Sequence, residues 1–483
     1  MLITVFSCFS AAAASENEEQ SNGTGKKYII AMDTTFAPFE FEDSQGNRVG
    51  IDVELLEAIA KDQGFEYEAR AIGFDAALQA VESGQADGIL AGCSITEERQ
   101  KKMDFSTPYF DSGISMAVSK ENDSIQSYED LRGKKVAVKV GTEGATLANK
   151  LSEQYGFSVV TFDDSANMYE DVKLGNTAAC FEDYPVLGYA ISQDIGLKLV
   201  GEKEAGSSYG LGVKKGQNAE LLQMFNDGLE NVKASGEYQR ILDSYISSGD
   251  GTAANVESNE GVNFFTLLGT TFPRFVQAAG VTLWITAVSL VFAVVLGLLF
   301  CALRLSKYKV LHAITRVYLW VIRGTPVIVQ AFMIYFGIPK LFGFTMPVEV
   351  ASIITLTLNA GAYLSEIFRS GIEAVDVGQM EAARSLGLPY MKTMQKVILP
   401  QAARIVIPSV INQFIITLKD SSILSVIGLA ELTKVGKAIV AQNLESFNTY
   451  LILAIYYLIL VSLLTALSAV VERRLRRGKL KGT

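Results

Sequence analysis

The sequence predicts two fold classes in one chain: an α/β domain over residues 27–247, followed by an all-α membrane domain over residues 262–477. Three observations carry this. Charge is divided unevenly, since residues 1–260 hold 43 Asp/Glu and 21 Lys/Arg whereas residues 261–483 hold 9 and 21. In the first half, short apolar runs with strand character alternate with amphipathic helical segments, which is the pattern of parallel strands joined by helices. In the second half, the charges sit between apolar runs of about 20 residues, the length that crosses a bilayer.

At the N-terminus, MLITVFSCFSAAAAS has an apolar core and an Ala-rich end that suits signal-peptide cleavage, although no positive residue precedes the core. Residues 1–14 therefore read as a signal peptide or an anchor, with Cys8 a candidate for lipidation. Residues 15–26 are polar and contain glycine, and read as a disordered spacer. Beyond them, YIIAM (28–32) and KKVAVKV (134–140) have strand character. VELLEAIAKDQG (53–64) is helical, with Leu55, Leu56, Ile59 and Ala60 on one face and Gly64 at its end. Residues 248–261 form a flexible tether with a root-mean-square span of roughly 20 Å.

Membrane spans are expected near 280–303, 313–338, 350–368, 403–427 and 450–471. Positive residues select the cytoplasmic connections. Arg304, Lys307, Lys309 and Arg316 follow the first span, Arg369, Arg384, Lys392 and Lys396 the third, and six Lys/Arg between Arg473 and Lys481 the last. The α/β domain then lies outside the cell membrane, and the tail 478–483 lies in the cytoplasm. Arg323-Gly324-Thr325-Pro326, Glu366 and Lys419-Asp420 interrupt the apolar spans. A charge facing lipid is costly, so these groups are expected to face partner helices or a cavity. Both helix adhesion and a translocation path remain open readings of them.

Several chemistries lack material. The four cysteines, at positions 8, 93, 180 and 301, have no metal-ligand spacing, and His312 is the one histidine. No metal site and no Ser/His/Asp triad is expected, and no catalytic residue is assigned. Cys93 and Cys180 read as buried small apolar residues, with a disulfide between them left open. The basic balance of the second half reads as loop charge rather than a nucleic-acid surface.

The stretch AGCSITEERQKKMDFSTPYF (91–110) places Ser94 and Thr96 just ahead of Arg99 and an aromatic run behind it. A zwitterionic amino acid needs a fixed cation for its carboxylate, and the planar guanidinium of Arg99 offers two parallel charge-assisted hydrogen bonds. Together with DTTFAPFEF (33–41), GIDVELLEAIA (50–60), LAGCSITEERQKKMDFSTPY (90–109), AVKVGTEG (137–144) and FEDYPVLG (181–188), this makes residues 27–247 resemble the bacterial extracellular solute-binding proteins for polar amino acids. The similarity is greatest to glutamine-binding proteins.

That resemblance implies a two-lobed, periplasmic-binding-protein-like (type II) fold, with lobe one at 27–111 plus 209–247 and lobe two at 112–208. It implies that Arg99 holds the ligand carboxylate, while the Ser94 hydroxyl, the Gly92 carbonyl and the Asp183 carboxylate receive the ammonium. Asp33 and Lys139 would bracket a side-chain amide, which offers both a donor and an acceptor. Phe36 and Phe74 match the aromatic walls around the ligand methylenes. Glu182 stands where the nearest relatives carry histidine, and Glu143 where they carry glycine, so both are added to the candidate site. Closure of the lobes over ligand would be the signal passed to the membrane.

Residues 264–477 resemble the amino acid permease subunits of ATP-driven (ABC) importers, through VIRGTPVIVQ (321–330), NAGAYLSEIFRSGI (359–372) and EAARSLGLPYMKTMQKVILPQAA (381–403). In the last stretch the resemblance assigns ATPase coupling to Glu381, Ala382, Ala383 and Gly387. No G-x-x-x-x-G-K-[ST] string occurs, so ATP and magnesium are expected on a separate ATPase subunit. A homodimer of this chain is expected, because one set of spans does not enclose a symmetric path. The expected cargo is L-glutamine, with asparagine, glutamate, and arginine or histidine as alternatives. An amino-acid-gated channel or a sensor is the reading from another class. It is disfavoured by the uninterrupted clamp and by the absence of a TVGYG-type filter.

Overall fold

A computed structural model describes residues 26–246 and 263–480, except 34, 44, 45, 307, 444 and 445. The expected signal peptide or anchor, Cys8, the spacer up to residue 25, the tether 248–261 and residues 481–483 lie outside the described residues.

The N-terminal part is a two-lobed α/β domain of type II. Its elements run β1 (Tyr28–Met32), β2 (Phe41–Glu42), β3 (Arg48–Val49), α1 (Ile51–Gln63), β4 (Tyr67–Ala71), α2 (Phe74–Ser83), β5 (Gly88–Ile89), α3 (Glu97–Gln100) and β6 (Met103–Phe105). They continue with β7 (Phe110–Ser119), β8 (Lys135–Lys139), α4 (Glu143–Tyr155), β9 (Ser158–Phe162), α5 (Ser165–Lys173), β10 (Ala179–Asp183), α6 (Tyr184–Ser192) and β11 (Leu197–Tyr209). The chain then returns through β12 (Gly212–Lys214), α7 (Ala219–Ala234) and α8 (Glu237–Tyr245). The first sheet has strand order β4-β1-β5-β12-β6 and the second β11-β7-β10-β8-β9. The polypeptide passes between the sheets twice, from β6 into β7 and from β11 into β12. Those two passages are the only material needed for a hinge.

Local chemistry accounts for these elements. In α1, Leu55, Leu56, Ile59 and Ala60 are buried, and Gly64 ends the helix at φ 69° with its N–H on the Ala60 carbonyl. These side chains pack with Ile30, Met32, Leu90 and Phe225 in the core of lobe one. Burying each leucine is worth about 1.5–3 kcal/mol, so the apolar stripe specifies the face that turns inward. Cys93 and Cys180 are buried free thiols and not a disulfide.

The C-terminal part is helical: α9 (Phe264–Leu305), α10 (Lys309–Gly324), α11 (Val327–Phe342), α12 (Val348–Glu373), α13 (Val377–Ser385), α14 (Tyr390–Ile427), α15 (Leu432–Asn443) and α16 (Ser446–Leu480). Four of these are long and apolar enough to cross a membrane, or five if the bent pair α10 and α11 is one span. That pair corrects the expectation of a plain span near 313–338, because it bends by 109°. Proline has no amide hydrogen and disfavours helical geometry in the residue before it. Thr325 is accordingly extended at ψ 143°, and Pro326, also extended, caps the next helix, which begins at Val327. The first span also begins well before residue 280. At 1.5 Å per residue, the 42 residues of α9 run about 63 Å, far beyond the hydrocarbon thickness of a bilayer.

The extra length lies beside the binding domain, where Arg274 of α9 forms an ion pair with Glu42. One apolar core is shared between the two parts. Ile72, Phe74, Ala77, Ala80 and Val81 of lobe one pack in a single cluster with Tyr335, Phe336, Met346, Leu424, Ile427 and Leu429 of the helical domain.

Candidate functional site

The cleft is built at strand ends and helix starts, where side chains leave the regular backbone of both sheets. Asp33 follows β1, Lys139 ends β8, and Asp183 ends β10 just before α6. Phe74 opens α2, and Glu143 opens α4 behind Thr142, whose hydroxyl accepts from the Ala145 N–H at 3.2 Å. Arg99 lies in the single turn α3, capped by Thr96, which accepts from the Arg99 N–H at 3.2 Å.

One cavity is lined by Asp33, Phe36, Phe74, Gly92, Ser94, Arg99, Lys139, Glu143 and Asp183, nine of the ten residues expected at the site, together with Thr142. The exception is Glu182, which is buried outside the cavity with Oε2 accepting from Ser165 Oγ at 2.7 Å and Oε1 from the Asp183 N–H at 3.1 Å. Successive residues of a strand point to opposite faces. Asp183 takes the cleft face of β10, so Glu182 takes the face toward α5. The missed residue, Thr142, carries a sequence signal of its own: a hydroxyl at a strand-to-helix junction, behind Gly141 at φ 76°.

The lobes are closed on one another. Lys139 of lobe two and Asp33 of lobe one form an ion pair with both side chains about 1% exposed. Arg99 Nη1 donates to the Ser94 carbonyl at 2.8 Å, and its Nη2 crosses the cleft to the Gly141 carbonyl at 3.0 Å. The same guanidinium stands 5.0 Å from the Phe74 ring centre. The space left is about 10 Å³, on the order of what one water molecule needs. An amino acid enters only if the lobes part and the Asp33–Lys139 pair gives way.

Burial governs the acids. Asp183 is held well above the ordinary carboxylate range by burial, with the charges of Glu182 and Glu143 adding to it and Tyr209 and Arg99 opposing it. Its Oδ1 has no hydrogen-bond partner among the described residues. Glu143 is engaged, its Oε1 accepting from Ser207 Oγ at 2.9 Å. For Lys139, burial would lower the pKa, but the nearby carboxylates of Asp33 and Glu182 outweigh it and raise the group.

A buried acid pair lies beneath the cavity floor. Asp52 Oδ2 accepts from the Gly92 N–H at 2.8 Å and from Tyr109 Oη at 2.9 Å. Gly92 is at φ 50°, and a Cβ there would lie 2.1 Å from the Phe36 ring. Only glycine fits between Phe36 and the backbone that Asp52 holds. Burial raises Asp52 to about 6, and it raises the neighbouring Glu40 well above its usual range.

In the helical part, the polar interruptions meet one another. Glu366 pairs with Arg304 and with Arg369, and lies 3.9 Å from Arg323. Arg304, Arg323 and Glu366 share a cavity of about 620 Å³. Ala383 of α13 is buried, while Glu381 and Ala382 face outward. Gly387 turns the chain at φ 84°, and the return helix opens at Tyr390 behind Pro389.

Two hinged α/β lobes around a polar cavity, packed on a helical domain with four or five spans, define a membrane transport subunit that carries its own solute receptor. Residues 28–248 match the bacterial extracellular solute-binding proteins, family 3, and residues 290–477 match the binding-protein-dependent transport system inner membrane component. Over 208 residues the chain is 38% identical to the probable amino-acid permease protein YxeN of Bacillus subtilis, covering 43% of this chain and 93% of that one. It is 36% identical to the arginine transport system permease protein ArtQ of Bacillus subtilis, covering 42% and 93%. It is 37% identical to the glutamine transport system permease protein GlnP of Escherichia coli K12, covering 42% and 94%. The chain belongs to the amino-acid ABC permeases, with a family 3 solute-binding domain fused ahead of the membrane domain. Both are transport families and not enzyme families.

Proposed function

We propose that the chain is receptor and permease of an ATP-driven importer of L-glutamine, with the binding domain on the outer face of the cell membrane. The observation that carries this reading is Asp183: a fully buried carboxyl at the cavity wall whose Oδ1 has no partner among the described residues. An ammonium placed there satisfies that oxygen and makes the ionised form favourable. Ser94 Oγ and the Gly92 carbonyl supply further acceptors, and Arg99 turns from two backbone carbonyls to the ligand carboxylate.

The amide specificity rests on Asp33 and Lys139. A side-chain amide that separates the ion pair donates to Asp33 and accepts from Lys139, so both buried charges keep a partner. A cationic side chain meets Lys139, and an anionic one meets Asp33. Glu143 accepts from Ser207 and Glu182 from Ser165, and Glu182 lies outside the cavity, so it is Lys139, on the cavity wall, that a cationic side chain would face. Phe36 and Phe74 flank the methylenes. The similarity to the glutamine permease GlnP supports the same cargo.

Residues 27–247 act as the binding unit and 262–477 as the permease. The outward-facing Glu381 and Ala382 of α13, with buried Ala383 and the turn at Gly387, suit docking on a partner ATPase, where ATP and magnesium supply the energy. Two copies of this chain enclose the path. Calorimetry on the full chain in lipid nanodiscs, against the common amino acids, tests the cargo. Glutamine is expected to bind tightest; a preference for lysine or arginine would overturn the role given to Lys139.

A further inference from the structure

The contacts between the lobes and the membrane domain are unequal. Lobe one is gripped at both ends of α2. Before the helix, Lys434 Nζ donates to the Ala71 carbonyl at 2.7 Å and to the Gly428 carbonyl at 2.8 Å. Next to it, Gly428 at φ 95° lies so close that a Cβ would come within 2.3 Å of Ile72. After the helix, Gln85 is buried, donating from Nε2 to the Tyr335 carbonyl at 2.7 Å and accepting at Oε1 from the Met346 N–H at 2.8 Å. Between these points α2 contributes to the apolar core shared with the membrane domain.

Lobe two meets the membrane domain differently. Asn167 of α5 donates to Tyr450 Oη at 3.1 Å, at a partly buried position. Neither apolar cluster of lobe two includes a membrane-domain residue among the described residues. A polar contact of this kind exchanges readily with water, whereas a shared apolar core does not separate without exposing it.

We propose that lobe one is a stationary jaw, locked to the membrane domain through Gln85 and Lys434, and that lobe two alone swings, with Asn167–Tyr450 as the contact made on closure. The ligand wall Phe74 is then fixed relative to the membrane, since it is the first residue of the locked helix. Opening breaks the Asp33–Lys139 pair, the Arg99 bond to Gly141 and the Asn167–Tyr450 contact together, because all three join lobe two to stationary groups. This rests on the amino-acid reading only for the choice of ligand.

The test is a set of distances between spin labels on the full chain in nanodiscs, in a Cys8→Ser background. Exposed positions 61 in lobe one, 153 in lobe two and 342 in the membrane domain carry the labels. The 61–342 distance is expected to stay single and narrow with and without L-glutamine, while 153–342 shifts and broadens when glutamine is removed. A ligand-dependent shift in 61–342 would overturn the proposal. Gln85→Lys combined with Lys434→Glu is expected to broaden 61–342 without ligand; an unchanged narrow distance there would remove the assigned lock. If no amino acid moves 61–153, the importer reading fails instead, and the lock stands or falls on that double variant. Tyr450→Phe is expected to shift 153–342 toward the open distance and leave 61–342 in place.

Discussion

Lys139 at the end of β8 pairs with Asp33 after β1, so that one buried ion pair spans the cleft and joins the two lobes. Removing one member of a buried pair leaves an uncompensated charge, at a cost of about 3–5 kcal/mol. Lys139→Met is therefore expected to lower the thermal midpoint. Adding Asp33→Asn should recover most of that stability without recovering glutamine affinity. Calorimetry and thermal unfolding of the single and double variants separate these outcomes, and a double variant that binds glutamine normally would remove the pair from recognition.

Arg99 has its guanidinium against Phe74 and bonded to carbonyls of both lobes. Arg99→Ala is expected to weaken ligand binding by about 2–5 kcal/mol, the range for truncating one partner of a desolvated charge pair. Arg99→Lys should recover only part, since an ammonium lacks the planar fork. Equal affinity in wild type and Arg99→Ala, measured by calorimetry, would place the carboxylate elsewhere.

Asp52 supplies a pH dependence. Burial raises it from 3.8 to about 6 in the folded chain. A raised folded-state value means the native form holds its proton longer than the unfolded form. The associated stability is present below the unfolded value and is lost as pH rises through about 6. The thermal midpoint of the ligand-free chain is expected to fall across that window, and Asp52→Asn to flatten the fall. A profile that is the same in both proteins would show that other groups govern it.

Glu381 faces outward on α13, capped by Asp376, which accepts from the Gly378 N–H at 2.7 Å. Because it takes no part in holding the helix, Glu381→Ala is expected to leave ligand affinity unchanged. Ligand-stimulated ATP hydrolysis by the assembled transporter should be largely lost. Normal stimulation would move the coupling contact off this residue.

Much of the fold was legible because local rules act on neighbouring residues. The stripe of Leu55, Leu56, Ile59 and Ala60 named its own buried face, and Gly64 its own helix end. The cavity residues were legible through ordered motifs, most of them where a strand gives way to a helix and one, carrying Asp33 and Phe36, between β1 and β2. Glu182 shows the limit: it sits beside Asp183 in a recognised motif, and the alternation of β10 turns it away from the cleft. The bend at Thr325–Pro326 was written in the proline, yet the apolar count through 313–338 masked it.

By itself, then, the sequence determined an α/β clamp followed by a multi-span helical part, and most of the cavity wall, since hydrophobic period, charge and motif order are properties of short stretches. Only the tertiary structure decided that Gln85 meets Met346 across 261 residues of chain and that Lys434 reaches Ala71 across 363. Such contacts leave no periodic trace, because each depends on how two separately folded surfaces come together.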